Sequence, residues 1–542
     1  MKKCIPLICT LLVLFACNET PEKPRDRTAK AAENSRDTTI NAGNSYSDLF
    51  LSEGAVEQFI AQQHLNDTIA NDLNNFYNSR NLQFAWFTSD GLNQQALSFR
   101  TLHDFTDTSS SGGVLDRSLD RLMGNDSLNI RSSDARVIKT ELMMTWRFIN
   151  YLWEKFPNKS EREYALRNLV PSKKQDVIAM AQATLKGSDD KIVTNDWYPS
   201  LQKHLKTYLE LAKDTNWTRL PYPSKGNKKQ DTTILLVKRR FIEMDWLSRK
   251  DTSSTSTPDF EAAVKKYQLE HALKADGKVT RGLIDQLNIS PTSRLKQILV
   301  NLERMKWMPA ISREKLILVN IPEFMLHVIN GRDSLLSMPV VVGKQGHNTV
   351  MFYGSLNHVV FAPYWNLPPS IVEAEVLPQI NQNEDYLAEH NMEITGEEDG
   401  LPVVRQLPGE KNELGQVKFL FPNSFNIYFH DTPHKDLFKQ AKRAYSHGCI
   451  RLGEPEKLAK LLLADNEKWT DEKIDSAMNA EKETWVKVSK PVPVLIYYYT
   501  ARVDDEGKIL WRDDIYGRDK EMARRLFTSE NNLPPQTIAS RK

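Results

Sequence analysis

The sequence Tyr445-Ser446-His447-Gly448-Cys449-Ile450-Arg451-Leu452 places a cysteine within a short polar turn. A second histidine, His430, follows the apolar run Phe425-Asn426-Ile427-Tyr428-Phe429 and lies nineteen residues before Cys449. A thiol, a histidine base and nearby backbone N–H groups are the components of an activated thiol nucleophile. The two stretches together therefore predict a nucleophilic cysteine that is served by a histidine.

The other cysteines of the chain lie close to its N-terminus. Of the four cysteines, Cys4, Cys9 and Cys17 fall within the first seventeen residues. Two lysines followed by the apolar run 5–16 predict an export signal. The run is too short for a membrane-spanning helix, which needs about twenty apolar residues. The sequence Leu14-Phe15-Ala16-Cys17 resembles a bacterial lipobox, in which the signal is removed and the cysteine is lipidated. We therefore expect Cys17 to carry a lipid anchor.

With Cys17 lipidated, Cys449 has no other cysteine with which to pair. Exported proteins in oxidising compartments normally pair their cysteines in disulfides. A lone thiol is then either a buried apolar residue, which is common for free cysteine, or a reactive group. The polar and cationic residues that flank Cys449 favour the reactive group, because such neighbours favour the thiolate.

Composition sets few limits on function. The chain has 542 residues and a formal net charge of +2, and no basic stripe suggests nucleic acid binding. This length predicts several domains, in a multidomain α+β arrangement. In chain order we predict a lipoprotein signal peptide (1–16), a flexible polar tether (17–48), a helical scaffold domain (49–230), a small helical module (231–290), a linker helix (291–313), a mainly β catalytic domain (314–525) and a tail (526–542).

The scaffold and the small module both show helical spacing of apolar residues. One core-facing stripe predicted in the scaffold consists of Leu142, Trp146, Ile149, Trp153 and Phe156. The module resembles the peptidoglycan-binding helical module of bacterial wall enzymes at Tyr267-Gln268 and Asp276-Gly277, and departs from it at Thr280 and Leu283. It is expected either to bind the wall or only to position the next domain.

From Glu314 onward the apolar pattern has a period of two, which predicts strands. Asn330-Gly331 is typical of a two-residue hairpin turn. The predicted strands are 316–321, 325–329, 337–342, 356–362, 417–421, 425–429 and 494–500. The pattern stops between 368 and 413, where a helix over 370–380 and a polar, turn-rich stretch form an insertion. We interpret this insertion as either a cap over the site or surface decoration.

The predicted strand before His430 orients the site. Alternation along it directs Tyr428 and His430 to the same face. His430 is expected to take the proton of Cys449, while the backbone carbonyl or side chain of Asp431 holds the other imidazole nitrogen. The backbone N–H of Cys449, and that of Gly448, with the Tyr428 hydroxyl, are the candidate donors to the oxyanion.

Two further side chains of the turn have predicted roles. Arg451 is suited to a substrate carboxylate through a bidentate pair. His447 either orients the turn or shares the acid–base chemistry.

Two other kinds of site compete with this interpretation. His430, His447 and Cys449 are all possible zinc ligands, but no ligand spacing typical of zinc supports them, and we predict neither a metal nor a cofactor. A papain-like hydrolase has its cysteine before its histidine, the reverse of the order here.

These residues resemble the signature of the L,D-transpeptidases, cysteine enzymes that remodel peptidoglycan, and in particular their large multidomain branch with a helical scaffold, a wall-binding module and a capped catalytic domain. The segments that carry the resemblance are 301–305, 319–322, 341–344, 363–366, 421–423, 430–433, 446–451, 499–501 and 514–517. The resemblance implies Cys449 as nucleophile, His430 as base and Tyr428 with the Cys449 amide as the oxyanion site. From the matching segments we expect Ser446, Thr432 and Trp365 to join Arg451 in binding substrate.

The resemblance also implies a substrate and a reaction. Cys449 would attack a tetrapeptide stem of peptidoglycan, expel a terminal D-amino acid, and pass the acyl group to an amine of a neighbouring stem as a 3–3 cross-link. An L,D-carboxypeptidase or a hydrolase that releases a protein from the wall would use the same residues. A wall-binding lipoprotein with a vestigial site is the third hypothesis. Carbapenem-type β-lactams are expected to acylate Cys449, and the protein is expected to face the periplasm, at the inner or the outer membrane.

Overall fold

The computed structural model describes residues 36–106, 114–123, 130–193, 195–213, 217–223, 232–248, 253–310 and 314–528. The predicted signal peptide, Cys17 and residues 17–35 of the predicted tether lie outside these ranges. Within them, no helix has the length and apolar character needed to cross a membrane.

The N-terminal part is helical, as predicted. Its helices are α1 (Ala55–Gln63), α2 (Asp67–Asn78), α3 (Gln94–Thr106), α4 (Val114–Met123), α5 (Ala135–Lys155), α6 (Lys159–Asn168), α7 (Val177–Leu185) and α8 (Trp197–Lys213), with a short hairpin of β1 (Phe87–Thr88) and β2 (Gly91–Leu92). In the predicted stripe of α5, Leu142, Ile149 and Phe156 are buried, whereas Trp153 is 39% exposed. Trp153 instead lies under the guanidinium of Arg162.

Residues 36–48 contradict the predicted extent of the flexible tether. Ile40 and Tyr46 are buried, and the Tyr46 hydroxyl donates to the side chain of Gln95. The Lys173 ammonium lies 3.2 Å from the Asp37 carboxylate. Because Ile40 and Tyr46 pack against the scaffold, the segment is ordered there despite its polar composition. Any tether therefore ends before residue 36.

The predicted small module is a compact unit of three helices. They are α9 (Thr232–Glu243), α10 (Pro258–Glu270) and α11 (Arg281–Leu287). The Gln268 side chain binds Asp276 and the N–H of Gly277, which joins the two dipeptides that carry the resemblance. The Thr280 side chain accepts from the N–H of Leu283 and caps α11.

Helix α12 (Pro291–Met305) lies in the interior, which corrects its interpretation as a linker helix. All but one of its residues are buried. The guanidinium of Arg304 lies 2.5 Å from the Asp519 carboxylate, and Asn301 binds Thr500. Apolar and buried polar positions surround the whole helix, so it packs between scaffold and catalytic domain.

The predicted tail also begins inside the fold. Residues Leu526 and Phe527 are buried, and the Gln175 N–H donates to the Leu526 carbonyl. The fold therefore includes Leu526 and Phe527, and the predicted start of the tail at residue 526 is too early.

The C-terminal part is mainly β, as predicted. Its strands are β3 (Lys315–Asn320), β4 (Met325–Asn330), β5 (Asp333–Gly343), β6 (Phe352–Phe361), β7 (Trp365–Asn366), β8 (Met392–Glu398), β9 (Leu401–Gln406), β10 (Val417–Leu420), β11 (Phe429–His430), β12 (Ala444–Ser446), β13 (Ile450–Leu452), β14 (Thr484–Tyr497), β15 (Ala501–Val503) and β16 (Ile509–Trp511). The helical segments are α13 (Pro369–Ile371), the π-helical turn Val372–Val376, α14 (Leu377–Ile380), α15 (Tyr386–Glu389), α16 (Pro455–Leu463), α17 (Asp471–Met478) and α18 (Arg518–Leu526).

Nine strands form one sheet in the order β12-β5-β13-β11-β10-β6-β14-β3-β4, and a further pairing of β4 with β5 closes it on itself. A two-residue hairpin turn joins β4 and β5, but it consists of Gly331 and Arg332, one residue later than the predicted Asn330-Gly331, because Asn330 still pairs with Asp333. Gly331 has a φ of 63°. The apolar faces of these strands enclose a core that α16 and α17 also line. The predicted strand 425–429 is wrong over most of its length, because only Phe429 and His430 form β11.

The insertion at 368–413 is a separate unit with its own small core. Helical residues Val372 and Val376 are buried against Val404 of β9. The strands β7, β9 and β8 form a three-stranded sheet beneath them. The helix was predicted, whereas β8 and β9 were not. This unit, which we call the cap, extends to the catalytic turn through the contacts described below.

Candidate active site

A turn held by one asparagine replaces the predicted strand before His430. The Asn423 side chain donates to the carbonyls of Phe421 and Ile427, both at 2.7 Å. It accepts from the N–H groups of Phe425 at 3.0 Å and Ile427 at 3.2 Å. These four bonds bend the chain, and Asn426 takes a left-handed φ of 54°. The turn thereby directs the Asn426 carbonyl and Tyr428 toward the cysteine.

Strands β11 and β13 bring the predicted catalytic residues together. They are parallel neighbours, with Phe429 paired with Ile450 and His430 paired with Arg451. Phe429 and Ile450 are fully buried in the core. Because side chains alternate along a strand, His430 and Arg451 lie on the opposite face. Cys449 directly precedes β13, and the Arg451 charge acts on its thiol, so the thiol lies near this face.

His430 is held in a defined tautomer. Its Nδ1 lies 2.5 Å from the backbone carbonyl of Asp431, which can only accept, so Nδ1 carries the proton. Nε2 is then unprotonated and can receive a proton. Burial, together with the nearby Arg451 charge, lowers the pKa of His430 to about 3. The imidazole is therefore neutral near pH 7.

The thiol of Cys449 contacts the turn before β11. Its Sγ lies 3.6 Å from the Asn426 carbonyl, and it hydrogen-bonds with Tyr428. Burial raises the pKa of Cys449 to about 11, and the bonds from Tyr428 and the Arg451 charge only partly oppose this rise. The expectation that its neighbours favour a thiolate is therefore wrong for the free protein. The free site therefore holds a neutral thiol and a neutral imidazole whose Nε2 can accept a proton.

The turn that carries Cys449 is fixed from several sides. Gly448 has a φ of 116°, a conformation that favours glycine. Its carbonyl accepts from the Thr349 hydroxyl at 2.8 Å, and the same hydroxyl accepts from the N–H of Gly343 at 2.9 Å. The Tyr516 hydroxyl in turn donates to the Gly343 carbonyl at 2.6 Å. The distant segments around 343 and 516 thus hold the nucleophile.

Ser446 and Gly448 have places inside this turn. The Ser446 hydroxyl is buried, donates to the Cys449 carbonyl at 2.5 Å and accepts from the Gly448 N–H at 3.2 Å. The Gly448 N–H is therefore already bound and is not a free donor for an oxyanion. The Cys449 N–H has no acceptor among the described residues. This N–H and the Tyr428 hydroxyl remain the candidate oxyanion donors.

His447 faces away from the core, toward the cap. Its Nε2 lies 3.2 Å from the Lys344 ammonium and 3.1 Å from the Glu375 carboxylate, and its ring lies against that of His347. Burial and the Lys344 charge lower the pKa of His447, so it too is neutral near pH 7.

The remaining predicted residues lie at different distances from this centre. Arg451 lies 3.6 Å from the Glu413 carboxylate, at the end of the cap. The Asp431 carboxylate accepts from the N–H of Gln416 and pairs with Lys435, so only its backbone serves His430. Thr432 is buried and its hydroxyl accepts from the N–H of His434. Trp365 lies in β7 and packs against the core of the cap.

The sequence did not reveal the roles of Asn423, Thr349, Lys344, Glu375 and Glu413 in the site. One signal was present for Asn423, because asparagine followed by Ser-Phe-Asn is typical of a side-chain-stabilised turn. The others come from distant segments of the chain. Among the described residues, no three His, Cys, Asp or Glu side chains are grouped so that they could hold a metal ion.

Replacing Asn423 with alanine is expected to remove all four bonds of the turn. Several backbone groups would lose partners, so we expect a loss of about 2–4 kcal/mol in the free energy of unfolding. Acylation of Cys449 should fall at least about tenfold, because Tyr428 and the Asn426 carbonyl lose their positions. Thermal unfolding and acylation by a β-lactam measure the two effects. Ser424→Ala is the control, since the exposed Ser424 hydroxyl only accepts a 3.4 Å bond from Arg100; equal effects in both variants would contradict this role of Asn423.

Known protein families match two parts of the chain. Residues 314–519 match the L,D-transpeptidase catalytic domain, and residues 71–211 match the Scaffold domain. A Haemophilus influenzae protein, provisionally described as an L,D-transpeptidase, is 31% identical over 252 residues. The match covers 43% of the present chain and 50% of that protein, so the chain spans about half the length of this relative.

Solved structures of L,D-transpeptidases are also similar to the chain. An L,D-transpeptidase from Mycobacterium smegmatis is 15% identical and matches 34% of this chain and 58% of its own, with a TM-score of 0.19. An L,D-transpeptidase in complex with imipenem has the same identity, coverage and TM-score. These superpositions are too poor to assign residues. The family matches, however, confirm the resemblance found in the sequence: the chain carries an L,D-transpeptidase catalytic domain at residues 314–519, preceded by a Scaffold domain at residues 71–211.

Proposed function

We propose that the protein is a peptidoglycan L,D-transpeptidase that forms 3–3 cross-links through a thioester on Cys449. The observation that carries the proposal is the placement of the Cys449 thiol beside Tyr428, on the sheet face that also carries the fixed tautomer of His430. His430 Nε2 takes the proton of Sγ as sulfur attacks the carbonyl of the donor stem. Tyr428 and the Cys449 N–H then stabilise the oxyanion. His430 returns the proton to the departing D-amino acid.

The test uses residues 36–528 with disaccharide-tetrapeptide fragments and mass spectrometry of the products. Cross-linked dimers that have lost one terminal D-residue support the transpeptidase. Tripeptides without dimers would instead support the L,D-carboxypeptidase. This second function is kept because the same thiol and histidine serve both reactions, and only the acceptor differs.

We propose that carbapenems acylate this cysteine as well. One structurally similar L,D-transpeptidase was solved in complex with imipenem. The strained β-lactam carbonyl of a carbapenem is a suitable target for a thiol activated by His430. The Arg451 guanidinium, 15% exposed beside the site, is available to a carboxylate of the drug or of the stem.

We propose further that the protein is exported and anchored by a lipid on Cys17, facing the periplasm. The support is the short apolar run that ends in Leu14-Phe15-Ala16-Cys17. The module at 231–290 then serves to hold the enzyme near the wall, which raises the local concentration of substrate. Incorporation of labelled fatty acid into the wild type but not into Cys17→Ala tests the anchor, and co-sedimentation of the full chain with purified sacculi tests wall binding.

A further inference from the structure

The cap presents one carboxylate to the catalytic turn. In the π-helical segment Val372–Val376, Val372 and Val376 are buried against the cap sheet, whereas Glu375 points away from it. The Glu375 side chain is 54% exposed, and its Oε1 lies 3.1 Å from Nε2 of His447. A π-helical turn inserts an extra residue into a helix and is frequent at functional sites. Here it brings Glu375 to His447, two residues from Cys449.

The Nε2 atom of His447 has a partner for each of its protonation states. The Lys344 ammonium, at 3.2 Å, can only donate, so it pairs with the unprotonated nitrogen. The Glu375 carboxylate can only accept, so it pairs with the protonated one. A nitrogen with both partners can gain and lose a proton with little rearrangement. The mechanism proposed above, which runs through His430, does not use this capacity.

Formation of the cross-link leaves one proton without a destination. An acceptor amine arrives as an ammonium ion with three protons on nitrogen. As the N–C bond forms and the C–S bond breaks, one proton stays on the amide nitrogen, and His430 passes one to the sulfur that takes the electron pair. The first proton must leave before attack, since an ammonium ion has no free electron pair. A base beside the acceptor site can take this first proton from an ammonium ion, whereas water attacks without such a step.

We propose that Glu375 and His447 form the binding site for the acceptor ammonium, with Glu375 attracting its charge and His447 Nε2 taking its first proton. This inference rests on the proposed function and assigns the subsite that separates transfer from hydrolysis. Glu375 is a binding residue of the cap, which explains why the cap contacts the turn at this point. His447 releases the proton to solvent, to which its side chain is 34% exposed.

The neighbouring carboxylates are not placed to bind the acceptor ammonium beside His447. Glu413 is engaged with Arg451 and with His434, whose Nε2 lies 3.0 Å from it. The Asp431 carboxylate is 6% exposed and pairs with Lys435. Glu373 is exposed on the same cap segment as Glu375, but lies outside the contacts made with His447. It provides a matched control of equal charge.

The experiment compares wild type, Glu375→Gln, Glu375→Asp and Glu373→Gln, using tetrapeptide fragments as donor and acceptor. We expect the ratio of cross-linked dimer to hydrolysed tripeptide to fall about tenfold or more in Glu375→Gln, and the KM for the acceptor to rise. Release of the terminal D-amino acid, which reports acylation, should change less than about twofold. Glu375→Asp should recover part of the ratio, and Glu373→Gln should keep all of it.

Hydroxylamine provides the second readout, because it is a nitrogen nucleophile that is neutral at pH 7. It needs neither attraction by a carboxylate nor loss of a proton before attack, so wild type and Glu375→Gln should form hydroxamate at similar rates. An unchanged dimer-to-tripeptide ratio in Glu375→Gln, an equal fall in Glu373→Gln, or an equal loss with hydroxylamine would overturn the inference. If the wild type releases the D-residue but makes no dimer, the proposed transpeptidase function fails and the inference fails with it.

Discussion

Cys449→Ala is expected to lose both acyl transfer and acylation by carbapenems. Alanine has no nucleophile, and the thioester that links donor cleavage to acceptor attack cannot form. We expect release of the terminal D-amino acid to fall by at least about a thousandfold, to the background of the assay. Intact-protein mass spectrometry after incubation with imipenem should show one added drug in the wild type and none in Cys449→Ala.

The fold is expected to survive this substitution. The side chain is partly exposed, and its Sγ makes only a long bond to the Asn426 carbonyl at 3.6 Å and a hydrogen bond with Tyr428. The melting temperature should therefore change little, which separates loss of chemistry from loss of structure. A Cys449→Ala protein that still gained the mass of the drug would contradict the assignment of the nucleophile. Cys449→Ser tests the thiol itself, since a hydroxyl in the same place is a far weaker nucleophile at neutral pH.

The nucleophile and its base could be predicted from sequence because both lie in short local patterns. The turn around Cys449 and the apolar run before His430 are each a few residues long, and β11 and β13 pair directly. The hairpin between β4 and β5 was also predicted to within one residue of its turn at Gly331-Arg332, because the φ requirement of such turns selects particular residues. Local chemistry of this kind is visible without knowledge of the rest of the fold.

The turn at 423–428 shows where local patterns fail. Its alternation of apolar and polar residues fits a strand, and Ile427 and Phe429 are indeed buried. The Asn423 side chain, however, takes the backbone bonds that a neighbouring strand would have made. Side-chain bonds of this kind compete with sheet formation. The cap sheet was missed for a different reason, since β8 is exposed on most of its residues and lacks an apolar face.

The electrostatic state of the site depends on distant segments and could not be predicted. The neighbours of Cys449 in sequence suggested a thiolate, but the enclosure of the thiol by the turn before β11 raises its pKa to about 11. The partners of His447 come from the residue after β5 and from the cap, some seventy to one hundred residues earlier in the chain. A single sequence gives no indication that these segments meet.

Replacing His430 with alanine is expected to lower the rate of Cys449 acylation by about a hundredfold to ten thousandfold, the usual contribution of a positioned general base. The effect should lie in kcat more than in KM, because His430 is 4% exposed and acts on the reacting proton. Single-turnover acylation by tetrapeptide measures it. His358→Ala is the control, since His358 lies on β6 beside Trp485 and outside the site. Equal losses in the two variants would contradict the role of His430.

The pH dependence of thiol reactivity distinguishes a neutral pair from a thiolate–imidazolium pair. With the pKa of Cys449 near 11 and that of His430 near 3, the resting thiol is protonated and the imidazole is neutral across the physiological range. The thiolate fraction then rises about tenfold for each pH unit below the thiol pKa. Alkylation of the wild type by iodoacetamide should follow this rise from about pH 6 to about pH 9, with no plateau. A rate that is already constant above about pH 6 would show that Cys449 is a thiolate, and base catalysis by His430 would then be unnecessary for its activation.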